Sequence, residues 1–123
     1  MIEGIRFKDG LIPAIIQDVE KNKVLTLCYM NKDALEKTLK EGKVYVFRRS
    51  KNALMLKGGT SGHIQLVRSI SVDCEGNSLL IMVEQKTAAC HAGYFTCYFR
   101  KVSKDGSLKV VEKMVFDPEN VYK

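Results

Sequence analysis

Nearly every apolar run in this chain has the length of a β-strand and stops at residues that turn the backbone. LIPAIIQDVE (11–20) and KVLTLCYM (23–30) flank a turn-like Lys-Asn pair, the pattern of a hairpin. KVYVFRR (43–49) and NALMLK (52–57) read as two more strands. After the glycine-rich GGTSGH (58–63), a long strand sets Ile64, Leu66, Ile70, Val72 and Cys74 on one face. A turn at Glu75–Asn77 leads into SLLIMVEQ (78–85), and an irregular KTAACHAG precedes a strand over YFTCYFRKV. Asp105-Gly106 then closes a last hairpin into SLKVVEKMVF. Only KDALEKTLKE departs from strand character. Asn31 is placed as its N-cap, Leu35 and Leu39 lie one turn apart, and Gly42 is a stop. The expected fold class is α+β: β-dominated, mostly antiparallel strands with one clear helix.

A chain of 123 residues, without linker, repeat or low-complexity segment, predicts a single domain over 1–123. No apolar run approaches the roughly 20 residues needed to cross a bilayer. The opening MIEGIRFKDG lacks the basic and then apolar stretch of a signal peptide. The expectation is a cytoplasmic protein with no membrane partner. In that reducing compartment the four cysteines, Cys28, Cys74, Cys90 and Cys97, are read as buried thiols or metal ligands, not as disulfides. A net charge of +6 points to anionic partners. The densest basic stretch is only FRRSK (47–51), with no interleaved aromatic platform, so no nucleic-acid partner is expected.

Three constellations carry chemistry. Cys74, Cys90 and Cys97 form no CxxC pair, and by spacing alone Cys74 and Cys97 read as small core residues on strand faces. Cys90, however, stands next to His91 in the small-residue loop AACHAG, where a thiol has little to pack against. VDCEGN (72–77) puts Asp73, Glu75 and Asn77 on alternate positions, one face of an extended chain, with Cys74 pointing the other way. That is either a polar strand end or a set of oxygen ligands for a hard cation such as magnesium. Finally, Arg48, Arg49, Lys51 and Lys57 precede or enter the loop that carries Thr60, Ser61 and His63. Cations, hydroxyls and glycine-exposed amides together suit a phosphate, although each charge taken singly reads as solvated surface.

Taken together, RSK-x5-KG-x-TSGH-x-Q (49–65), VDCEGN (72–77) and ACHAGYFTCYFR (89–100) resemble the phosphoribosyl-AMP cyclohydrolase (HisI) family. GLIPAIIQDVEKNKVLTLCYMNKDAL (10–35) and VFDPENVY (115–122) are similar to it as well, so the likeness spans nearly the whole chain. The resemblance implies a hydrolase of histidine biosynthesis that acts on a small phosphorylated nucleotide. Its third-step reaction adds water to C6 of the adenine ring of phosphoribosyl-AMP and opens the N1–C6 bond. It also implies an intimate homodimer whose subunits share a zinc ion held by Cys74, Cys90 and Cys97. A magnesium site would fall on Asp73, Glu75 and Asn77. Three thiolates make zinc-bound water less acidic than three imidazoles would, so a base is valuable. His91 is chosen for that proton transfer, with His63 in reserve. Arg49, Lys51, Lys57, Thr60 and Ser61 are the expected substrate-binding residues.

The chain departs from the family pattern at four positions. Glu75 and Asn77 replace the usual aspartates, while Met55 and Gly59 stand where the family has tryptophan and glutamate. These leave two alternatives open: a zinc-dependent hydrolase of a related purine nucleotide, and a zinc-stabilised dimer that binds nucleotides without catalysis.

Overall fold

The computed structural model describes residues 3–121, so Tyr122, which closes the VFDPENVY stretch, lies outside the described residues. The expected first hairpin forms. Strand β1 (Ile12–Asp18) pairs antiparallel with β2 (Val24–Met30), and buried Asp18 anchors the turn by accepting from Lys21 N at 2.7 Å. Helix α1 (Lys32–Glu41) follows. Asn31 Oδ1 accepts from Ala34 N at 2.8 Å, and Gly42 N closes the C-terminus on Thr38 O. The helix buries Ala34, Leu35 and Thr38, but Leu39, a turn beyond Leu35, is 51% exposed. Thr38 is the tie to what comes next, because its hydroxyl accepts from Tyr45 N at 2.9 Å at the start of β3 (Tyr45–Arg48). A short 3-10 turn, Arg49–Lys51, returns the chain into β4 (Ala53–Leu56), antiparallel to β3.

β5 (Gln65–Val72) and β6 (Leu79–Gln85) complete a four-stranded sheet of order β2-β1-β6-β5. Its one parallel pair, β1 with β6, sits at the centre, and the other pairs are antiparallel. Inward-facing Ile12, Ala14, Ile16, Leu79, Ile81 and Val83 form the floor of the core, which Leu35, Val44, Val46 and Phe95 cover. Among the described residues, no helix is long and apolar enough to cross a membrane.

Three strand expectations are corrected. β5 does not keep one face throughout: its register shifts between Val67 and Ser69, so Val67 and Ile70 both face inward, opposite Val83 and Ile81. That bulge separates Leu66 from Ile70 and Val72. The strand also ends at Val72, before Cys74. Finally, YFTCYFRKV is strand only at β7 (Arg100–Val102), which pairs with β8 (Leu108–Val110) across the Asp105-Gly106 turn. Over 94–99 the ladder is broken by Thr96. Its hydroxyl donates to Val24 O at 2.7 Å and accepts from Tyr98 N, so this segment is pinned to β2 instead. A short helix α2 (Pro118–Val121) ends the described chain.

Candidate active site

The loop after β4 is shaped by its glycines. Gly58 adopts φ +82°, and a Cβ there would lie 2.3 Å from His63 O, so the 58–63 segment can close on itself only with glycine at this point. Ser61 Oγ accepts from His63 N at 3.1 Å and fixes the histidine at the end of that loop. The ring then meets Phe116 edge-on at 4.8 Å, and its buried Nδ1 has no hydrogen-bond partner among the described residues. Across from it the Cys90 loop turns back through Gly93 N to Cys90 O, which sets exposed His91 at the tip. Val115 N donates to Gly93 O, so the closing segment lies against this loop and carries Phe116 towards His63.

Between the β3–β4 hairpin, the 58–63 loop, the 88–97 segment and α2 lies a cavity of about 760 Å³. Of the expected residues, it gathers His63, His91, Lys57, Thr60, Ser61 and Cys97. Arg49 and Lys51 are not on its wall. Arg49 opens the 3-10 turn and lies over the Tyr29 ring, 5.6 Å from its centroid, and Lys51 is exposed in the same turn. Arg48 lines the cavity in their place, because strand alternation puts it on the same side of β3 as Val46. Among the described residues neither Arg48 nor Lys57 is held in an ion pair. Gln65 and Glu119 also line the cavity. Sequence reasoning gave neither a role, although Gln65 closes the TSGH-x-Q motif. Met55 and Gly59, two of the four departures from the family pattern, are on the wall as well.

The thiols divide into two places. Cys90 is a near neighbour of Cys97, and Ala92 N points at Cys90 Sγ from 3.4 Å. Burial raises the Cys97 thiol pKa. The Thr26 hydroxyl lowers it, the neighbouring Cys90 raises it, and Lys57 lowers it. Two adjacent thiols with a backbone amide aimed at a sulfur are donors that suit zinc. Cys28 belongs with the core: it donates to Ala14 O at 3.6 Å, and burial pushes its thiol up to about 12. Cys74 is exposed in the turn after β5. Gln65, at the other end of that strand, is on the cavity wall, and eight residues of strand span more than about 20 Å. Among the described residues no three such donors from this one chain come together.

Asp73, Glu75 and Asn77 do not share the face of an extended chain. They form a tight turn in which Asp73 Oδ1 accepts from Glu75 N at 3.1 Å and Asn77 N at 2.8 Å, while Oδ2 accepts from Ser78 Oγ at 2.6 Å. These bonds, the Ser78 hydroxyl first, hold the carboxyl pKa below its ordinary value. With its carboxylate already engaged, the turn fits a magnesium ion poorly.

The family model for phosphoribosyl-AMP cyclohydrolase matches residues 26–99. The chain belongs to the phosphoribosyl-AMP cyclohydrolase family. Relatives with that name include one from Chloroherpeton thalassium, 52% identical over 99% of this chain and 89% of its own length. Another, from Pelotomaculum thermopropionicum, is 44% identical over 98% and 95%. A bifunctional histidine-biosynthesis protein, HisIE, from Thermoanaerobacter pseudethanolicus is 49% identical over 99% of this chain and 56% of its own length. Within this cyclohydrolase family, the cavity that holds His63, His91 and Cys97 is the natural candidate for the active site.

Proposed function

We propose that this chain is a phosphoribosyl-AMP cyclohydrolase, catalysing the hydrolytic step of histidine biosynthesis that opens the adenine ring between N1 and C6. One observation carries the reading: in a member of this family, two histidines, a thiol from a two-thiol cluster and unpaired cations converge on one nucleotide-sized cavity. Lys57 and Arg48 neutralise substrate phosphate, and Thr60 and Ser61 offer hydroxyls beside them. His91 takes a proton from the attacking water and delivers it to N1 as that nitrogen leaves C6. The water oxygen becomes the carbonyl of the new carboxamide, and its second hydrogen ends on the exocyclic nitrogen. His63, held by Ser61 and Phe116, presents its unpartnered Nδ1 to the base or its ribose.

Cys90 and Cys97 are two of the proposed zinc ligands, and Cys74 is the third. Zinc bound there would lower the pKa of the attacking water. Because no three such donors of one chain come together among the described residues, Cys74 would come from a second copy. A surface for that copy exists. On the outer face of the sheet, exposed Ile15 is in register with Leu27 on one side and Leu80 on the other, and Tyr29 is opposite Pro13. The proposed assembly is a homodimer with two shared sites. No step is assigned to magnesium at Asp73, Glu75 and Asn77, where the turn's own hydrogen bonds compete with it, and omitting it should change turnover little.

The test is the ultraviolet spectrum of phosphoribosyl-AMP mixed with zinc-loaded enzyme. Conversion to the opened imidazole carboxamide is expected, with His91→Ala slower by roughly 10²–10⁴-fold while zinc content and folding are kept. Folded, zinc-loaded protein that leaves this substrate intact would overturn the reading. Met55 and Gly59 on the cavity wall would then favour a related purine nucleotide, tested by the same assay on non-adenine phosphoribosyl nucleotides. If His91→Ala instead retained full function, binding without catalysis would be the better account.

A further inference from the structure

Gln65 is fully buried at the start of β5, and it lines the cavity together with His63 and His91. Its side chain has little freedom to choose its orientation. Gln85, its register partner on β6, donates through Nε2 to two backbone carbonyls, His63 O at 3.1 Å and Lys86 O at 2.9 Å. Turning the Gln85 amide over would set its oxygen against both carbonyls, so Gln85 Oε1 must face Gln65. Gln65 Nε2 donates to that oxygen at 2.8 Å. Flipping Gln65 would then bring two oxygens together. The consequence is a fixed acceptor: Gln65 Oε1 is buried and has no hydrogen-bond partner among the described residues. A buried acceptor left unmatched is costly, and a site that keeps one is built to receive a donor.

We propose that Gln65 Oε1 accepts a hydrogen bond from the exocyclic nitrogen of the substrate's purine base, and so makes this cavity selective for a 6-amino over a 6-oxo purine. The inference rests on the cyclohydrolase reading for the identity of the base. Chemistry on that base favours the assignment, since the nitrogen on C6 carries hydrogen before attack, after water has added, and in the carboxamide product. One acceptor therefore serves every stage of the reaction. A 6-oxo purine would present an oxygen to the same spot, and two acceptors repel. Gln85 contributes as a positioning residue, since a single amide holds both the Gln65 side chain and the His63 backbone.

The experiment compares binding of AMP and IMP, which differ at this position, to zinc-loaded wild-type protein and to Gln65→Leu by calorimetry. Wild type should prefer AMP by about tenfold or more, and Gln65→Leu should lose that preference mainly through weaker AMP binding. Zinc content and melting temperature are followed alongside. A wild-type preference below about threefold overturns the inference without any variant, as does a preference that persists in Gln65→Leu. Turnover of phosphoribosyl-AMP by wild type is measured separately. Its absence would sink the cyclohydrolase reading while leaving the AMP-to-IMP ratio to judge Gln65 by itself.

Discussion

Arg48 and Arg49 are chemically identical and adjacent, yet one faces the cavity and the other lies over Tyr29. Alternation along β3 decides this, together with the 3-10 turn that begins at Arg49. The prediction is a difference between neighbours. Arg48→Ala should raise KM for phosphoribosyl-AMP by roughly tenfold or more, in keeping with the loss of a charge-assisted hydrogen bond, while Arg49→Ala stays within about threefold of wild type. Lys57→Met should resemble Arg48→Ala. Steady-state kinetics on the three variants checks it, and equal effects at 48 and 49 would contradict the assignment. That His63, His91, Lys57, Thr60 and Ser61 gather at one cavity was legible because they lie in short glycine-bounded motifs. Arg48 was named in the same basic stretch but not told apart from Arg49, and Gln65 was given no role. Their roles depend on which way a strand faces and on the amide of Gln85, twenty residues away in sequence.

At the scale of elements, the turn after β5 shows how a polar motif can serve the backbone. Three donors converge on the Asp73 carboxylate, and they hold its pKa down. A group whose folded pKa is lowered contributes stability that is present above its unfolded pKa and is lost as pH falls through the folded one. Asp73→Ala should therefore melt below wild type at pH 7, with the gap closing as the pH drops below about 4. Thermal unfolding at both pH values measures this; a gap that does not change with pH would mean the carboxylate's charge is not what the turn uses. The first hairpin, the helix caps and the β3–β4 pair were readable because each is specified within a few residues. The bulge in β5, the parallel pairing of β1 with β6 and the irregular 94–99 segment were not readable. They are set by partners distant in sequence, such as the Val24 carbonyl that takes Thr96 out of the ladder.

For the whole molecule, the separation of Cys74 from Cys90 and Cys97 turns a question about ligands into one about assembly. If each zinc takes Cys74 from one subunit and the other two thiols from its partner, a symmetric dimer has two such sites. Cys74→Ala and Cys97→Ala homodimers should each be inactive and zinc-poor. In a mixed dimer, the Cys97→Ala subunit still offers its Cys74, and the Cys74→Ala subunit still offers Cys90 and Cys97. One of the two sites is then complete, and the other lacks both Cys74 and Cys97. Mixing the variants in equal amounts, with exchange of subunits, makes half the dimers mixed, so activity and zinc should recover to about a quarter of wild type. A sheet-face change such as Ile15→Asp should block that recovery by preventing pairing, and sedimentation would report monomers. If all three cysteines instead served one chain, two defective variants could not complement each other at any ratio. Recovery near a quarter, abolished by Ile15→Asp, is the outcome that sharing demands.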